Sequence, residues 1–246
     1  MADHFDVFML TLGPLGANCF ILACDGRALV IDPGDEADAV ADAFDEIGAR
    51  PQAILVTHGH FDHVGAVDAL ARRFELPVYV GAPDVRQLTE PAGGPFAGFP
   101  IQAVSVEPVL LVSEQQLDLV VPVTAIPTPG HSPGSYTFFI EGHLFSGDLL
   151  FQGSVGRTDL AGGSTDELLN SIAALVRRFP PDTLVHCGHG PDTSLGRELA
   201  LNPFLSPLRH DPEHRWGAPQ RLPEPPKAPT TCCRPAPSGE PTSWPS

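Results

Sequence analysis

Four times in this chain, a short run of strand-forming apolar residues stops at a polar cluster flanked by glycine. AILVTHGHFDH follows the run 53–56 with His58, His60, Asp62 and His63. AIPTPGHSPGS carries His131 after 125–128, FSGDLLF carries Asp148 after 143–145, and VHCGHGPDT carries His189 after 184–186. Five histidines and two aspartates are thereby delivered to strand ends, where a chain leaves its sheet and function collects. Imidazole and carboxylate are costly to bury unless they pair with one another or with a cation. Imidazole suits Zn, Fe and Mn, and carboxylate adds the negative charge that retains a cation. A fold that scattered the four loops would leave four polar surface clusters. A fold that gathered them would build a metal site, and the repetition of the pattern favours gathering.

The rest of the chain supplies the scaffold. Apolar runs at 5–11, 18–23, 28–31, 78–80, 109–112, 117–121, 124–126, 136–140 and 143–145 predict strands, with Asp25-Gly26 as a hairpin turn. Helical spacing is found at 36–47, ending at the C-cap candidate Gly48, and again at 64–74. Ser164-Thr165-Asp166-Glu167 is a capping box that opens a helix over 166–178. Residues 91–100 read as a long Gly/Pro-rich loop. The fold class expected is α/β (α+β), a sandwich of sheets with helices outside. The domain is expected to span 1–206, its last helix anchored by Phe204. Residues 207–246 hold eleven of the 28 prolines and are expected to be a disordered tail.

With 14 Lys+Arg against 30 Asp+Glu, the formal net charge is −16. Such a chain repels nucleic acid and anionic membranes at long range, so neither is an expected partner. The five cysteines are odd in number and form no CxxC pair, which argues against a disulfide framework or zinc ribbon. No basic segment followed by a long apolar stretch opens the sequence, and no run is long enough to span a bilayer. A cytoplasmic location with free thiols is expected.

THGHFDH, followed by His131, Asp148 and His189, resembles the metallo-β-lactamase-fold hydrolases across nearly all of residues 5–204, and the HxHxDH motif is matched at every position. The resemblance implies a four-layer αββα sandwich with a dinuclear centre, most simply Zn2+, with Fe or Mn as alternatives. By motif position, His58, His60 and His131 would hold one ion; Asp62, His63 and His189 would hold the other; Asp148 would bridge. Asp62 would also orient the attacking water. Asp148 stands where true β-lactamases carry cysteine. LGPLGANCFIL, IDPGDEA, GDLLFQGSVGRTDLAGG and GHGPDTSLGRELALNPFL are similar to the glyoxalase II-like group, in its short bacterial form without the helical C-terminal domain. That implies hydrolysis of an acyl thioester such as S-lactoylglutathione by a metal-bound hydroxide. Two alternatives stand beside it. One is a persulfide dioxygenase with one iron on His58, His131 and Asp148; the other is a non-catalytic metal-holding module whose Pro-rich tail recruits a partner.

Three further residues carry open readings. Arg157 either meets a substrate carboxylate or braces the loop by pairing with Asp159 or Asp32. Asp32, in IDPG, either orients a metal-bound histidine from behind, as Asp159 also would, or serves as a turn residue. His186 reads as a packed strand residue and His143 as a surface histidine.

Overall fold

The segment Ala17–Cys24 is buried at all but one of its eight positions, so it needs cover on both faces. The computed structural model, which describes residues 5–89 and 103–217, supplies that cover as layers. One sheet runs in the order β1 (Asp6–Leu12), β2 (Ala17–Cys24), β3 (Arg27–Ile31), β4 (Arg50–Leu55), β5 (Val78–Gly81) and β6 (Val109–Leu111). The second begins with β7 (Gln115–Asp118), β8 (Pro122–Pro127), β9 (Tyr136–Ile140) and β10 (His143–Gly147). A ribbon of β11 (Leu150–Phe151) and β12 (Ser154–Val155) intervenes before β13 (Leu184–Cys187) and β14 (Thr193–Ser194) complete that sheet beyond β10. The helices are α1 (Ala37–Ile47), α2 (Phe61–Val64), α3 (Val67–Phe74), α4 (Val85–Thr89), α5 (Thr165–Arg178), α6 (Leu195–Leu201) and α7 (Ser206–His210).

Strand alternation assigns each side chain to a layer. Cys19 and Ile21 of β2 pack outward with Val40 and Phe44 of α1 and Leu70 of α3. Phe20 and Leu22 point inward and meet Phe138, Ile140 and Phe145 of the second sheet. Leu144 and Val185 face the other way, onto Leu168 and Ile172 of α5. The result is helix, sheet, sheet, helix. Each fully buried Leu, Ile or Phe in these layers contributes about 1.5–3 kcal/mol.

Strand direction determines where the loops go. β3, β4 and β5 are mutually parallel, with α1 and then α2 and α3 as crossovers. β10 and β13 are parallel, and β8 points the same way because it is antiparallel to β9, which is antiparallel to β10. The carboxyl ends of three strands therefore share one edge in each sheet, the place where open α/β sheets bind ligands.

The turn at Asp25-Gly26 has both residues at positive φ, 49° and 70°, as a tight hairpin requires. Gly48 caps α1 at φ 72°. Ser164 caps α5 by accepting from the Glu167 amide at 3.3 Å. The single helix read over 64–74 is instead α2 and α3, broken at Gly65-Ala66. There the backbone packs so tightly on Gly34 that a Cβ on Gly65 would overlap the Gly34 carbonyl. The strand read over 117–121 is shifted to β7, an edge strand whose half-exposed alternation gives little apolar signal. β11, β12, β14, α4 and α7 escaped the sequence reading, and the last helix expected ahead of Phe204 is α6. The loop read at 91–100 and the tail beyond 217 lie outside the described residues. No helix among the described residues is long and apolar enough to cross a membrane.

Phe204 is not the anchor expected. It is 47% exposed, while Leu205 and Leu208 are buried against α5. Packing also continues past 206. Trp216 exchanges two hydrogen bonds with Asn170, at 3.0 and 3.1 Å, and Arg177 donates to the carbonyls of Pro212 and His214. Exposed hydrogen bonds of this kind contribute about 0.5–1 kcal/mol each. A chain stopped after His210 is expected to melt about 4–8 °C below one stopped after Gly217, a difference that circular dichroism resolves.

Candidate metal centre

The carboxylate that follows β3 organises the first loop. Asp32, held at φ 51°, accepts from the Thr57 amide at 2.7 Å through Oδ1. Its Oδ2 accepts from the Thr57 hydroxyl at 2.5 Å and from His63 Nδ1 at 3.0 Å. Having donated its only proton to Asp32, the Thr57 hydroxyl accepts from His58 Nδ1 at 3.0 Å. His131 Nδ1 donates to the Arg157 carbonyl at 2.7 Å. These partners assign the tautomers. In His58, His63 and His131 Nδ1 is engaged, so Nε2 is the nitrogen each turns toward the cluster. That is how a histidine is oriented from behind to ligate a metal.

The seven side chains picked out in the sequence converge. His131 Nε2 lies 2.8 Å from His60 Nδ1. His58, His60 and His131 each offer a nitrogen, all within 4.8 Å of one another, and a carboxylate oxygen of Asp62 lies equally close to nitrogens of His63 and His189. Asp62 Oδ2 is 3.2 Å from His189 Nε2 and 3.8 Å from His63 Nε2. Asp148 sits at the seam between the sets. Its Oδ1 is 3.4 Å from His63 Nε2, and its Oδ2 is 3.6 Å from His131 Nε2 and 3.7 Å from His189 Nε2. Asp32, His58 and His63 also lie close together, but the oxygens of Asp32 already accept three hydrogen bonds, which makes it a brace.

Among the described residues, three buried side-chain polar atoms have no hydrogen-bond partner: His58 Nε2, His63 Nε2 and Asp148 Oδ1. Each such orphan costs about 1–3 kcal/mol. All three are lone-pair donors and all belong to this cluster, so cations are what would satisfy them. Gly188 leaves room for this, since a Cβ there would overlap Asp148 Oδ1.

Electrostatics point the same way. Burial, with His63, His131 and His60 nearby, holds His58 well below the ordinary histidine pKa, and burial beside His131 brings His60 down to about 4. Burial alone would raise Asp148 and Asp62. Their histidine neighbours, chiefly His63 for Asp148 and His189 for Asp62, outweigh it and keep both below the usual carboxylate range. His63 is raised despite burial because Asp148 and Asp32 flank it, and His189 is raised by its bond to Asp62. His58 and His60, in one half of the site, are thereby held as neutral imidazoles. The other half is a carboxylate-lined seat that attracts positive charge.

Two bracing residues escaped the sequence reading. Asp84, fully buried after β5, accepts from the Gly59 amide (2.9 Å), the Ser132 hydroxyl (2.5 Å) and the Gly134 amide (2.8 Å). It ties the His58–His60 loop to the His131 loop. Its signal was the same one: VYVGAPD puts an acid beside glycine after a strand. Asn18 donates to the carbonyls of Cys187 and Gly190 at 3.0 and 2.8 Å, pinning the His189 loop to the first sheet.

Arg157 and Asp159 form a two-pronged pair at 2.7 and 2.8 Å, 54% and 68% exposed. Asp159 therefore does not stand behind a histidine as expected. What orients His131 is the carbonyl of Arg157, and its guanidinium is engaged by Asp159. Cys187 is turned away into the outer core, where burial pushes its thiol up to about 12.

The sequence model of the metallo-beta-lactamase superfamily matches residues 12–189. The chain belongs to that superfamily. The probable metallo-hydrolase YqgX of Bacillus subtilis (strain 168) is 37% identical over 203 residues, 80% of this chain and 96% of that one. The hydroxyacylglutathione hydrolase GloC of Haemophilus influenzae (strain ATCC 51907 / DSM 11121 / KW20 / Rd) is 34% identical over 197 residues, covering 77% and 92%. Among solved structures, BLEG-1 B3 metallo-beta-lactamase superposes with a TM-score of 0.78 at 40% identity, covering 82% of this chain and all of that one. TTHA1623 in a di-iron-bound form superposes with a TM-score of 0.75 at 41% identity, covering 81% and all. The fold, the metal-binding character and the hydrolase class of the superfamily thus agree with the donor cluster.

Proposed function

We propose that the chain hydrolyses acyl thioesters, S-lactoylglutathione among them, with two divalent ions held by the seven clustered side chains. The observation that carries this is Asp148, whose oxygens face both donor sets while buried Oδ1 makes no hydrogen bond. His58, His60 and His131 would hold one ion, Asp62, His63 and His189 the second, and Asp148 both. When bound, such a pair polarises a carbonyl oxygen and acidifies a shared water. Asp62 stands at the more open side of the cluster, its side chain 15% exposed, where a carboxylate oxygen orients the attacking water. Asp32 and Thr57 keep His58 and His63 turned inward. A thioester carbonyl is a good electrophile and a thiolate leaves without a strong acid, so the site needs no further proton donor. The likeness to GloC supports this substrate class, and the di-iron relative leaves iron beside zinc as the metal.

The test joins metal analysis to three assays on the purified chain. About two ions per chain and thiol release from S-lactoylglutathione are expected. A single iron with oxygen consumption on glutathione persulfide would instead make it a dioxygenase. Turnover of a β-lactam without thioester cleavage would place it with the lactamases, and metal without turnover would make it a binding module.

A further inference from the structure

We propose that His186, Asp192 and His143 form a clasp that positions His189, so that the ion held by Asp62, His63 and His189 is retained only while the clasp is closed. This inference rests on the two-ion reading above. His189 rides on the short turn between β13 and β14, a hairpin with only two paired rungs, Leu184 with Ser194 and Val185 with Thr193. The next residues outward are His186 and Asp192. Their side chains meet at 2.7 Å, Nδ1 to Oδ2, and add a third rung across the base of the turn.

The protons along this chain are determined by chemistry. A carboxylate only accepts, so His186 Nδ1 carries the hydrogen. His186 Nε2 is then an acceptor, and it receives His143 Nδ1 at 2.9 Å from the neighbouring strand β10. The His186 ring cannot swing away: it stacks on Phe145 at 4.5 Å and 15°, and Phe20 lies 5.3 Å off. His143, read from sequence as a surface residue, is thus half-buried in a relay.

The clasp matters because the His189 side chain is less enclosed than those of His58 and His63, although its backbone is bridged to Ala17. That side chain is 28% exposed, whereas His63 is fully buried and His58 nearly so. None of the three clasp residues offers an atom to the donor cluster, so they act through the turn. Asn18 grips the same turn from the other sheet. Opening the clasp should therefore loosen His189 without unfolding the hairpin.

The experiment compares His186→Phe, which keeps a stacking ring but loses both hydrogen bonds, with Asp192→Ala and Asp192→Asn. Full-length chains loaded with Zn2+ are dialysed against a weak chelator. Metal per chain is then measured by mass spectrometry, and metal-free melting temperatures are recorded alongside. The wild type should keep about two ions. H186F and D192A should keep about one, the lost ion binding about 10–100-fold more weakly, with metal-free melting temperatures close to wild type. D192N should keep two, since its amide oxygen still accepts the Nδ1 proton. Retention of both ions in H186F and D192A overturns the clasp. So does loss of both ions together, and so does D192N behaving like D192A. A wild-type chain that binds one ion overturns the two-ion reading itself and takes the clasp with it.

Discussion

Asp148→Asn is expected to lower kcat/KM for thioester cleavage by about 10³-fold, equivalent to about 4 kcal/mol of transition-state stabilisation. The swap preserves volume, so the effect isolates charge and lone pairs. Asp148 Oδ1 is buried 3.4 Å from His63 without a hydrogen bond, and Oδ2 stands 3.6 and 3.7 Å from His131 and His189. An amide in this position offers one oxygen instead of two, and its N–H groups would donate to a bare imidazole nitrogen and occupy the lone pair that a cation needs. It also removes the negative charge shared between the donor sets. Thiol release measured together with metal content decides the matter. A variant that holds two ions and stays within ten-fold of wild type would show that Asp148 does not bridge.

Asp84→Ala is expected to be the most destabilising single change near the site. It strands two buried amides at once, those of Gly59 and Gly134, while the Ser132 hydroxyl keeps Ser135 as a partner at 2.7 Å. Unpaired buried donors cost about 1–3 kcal/mol each, so the loss is about 2–6 kcal/mol, and the melting temperature should fall by about 5–20 °C. Ser132→Ala, which removes one donor and leaves the two amides satisfied, should cost about 1 kcal/mol. Urea denaturation of both variants gives the comparison. If Asp84→Ala unfolded at the same urea concentration as Ser132→Ala, the two loops would not depend on Asp84 for their register.

The ease of reading differed across the molecule for physical reasons. The donors of THGHFDH are adjacent in sequence, so their chemistry could be seen without a fold. His131, Asp148 and His189 each announced themselves by following a strand-like run and sitting near glycine. Asp84 carries the same mark, but its meaning lies in donors 25 to 50 residues away. Asn18 acts on carbonyls about 170 residues distant. Helices α2 and α3 looked continuous because their apolar spacing is continuous, and only the contact of Gly65 with Gly34 separates them. Asp159 and Arg157 were flagged for their charges, yet those charges satisfy each other at the surface. The site uses a backbone carbonyl there, which no residue type discloses.

The covalent order of residues alone determined which chemical groups this protein presents at its strand ends, and therefore that a cation is what they suit. Side-chain type and local spacing are properties of the chain itself, present before it folds. Tertiary structure alone decided which nitrogen of each histidine faces inward, that Asp148 lies at the seam, and that Asp32, Asp84 and Asn18 stand behind the donors. Those outcomes depend on where a proton rests and on contacts of a few ångströms between segments far apart in sequence. Both come into being only when the parallel strands bring their carboxyl ends to a common edge.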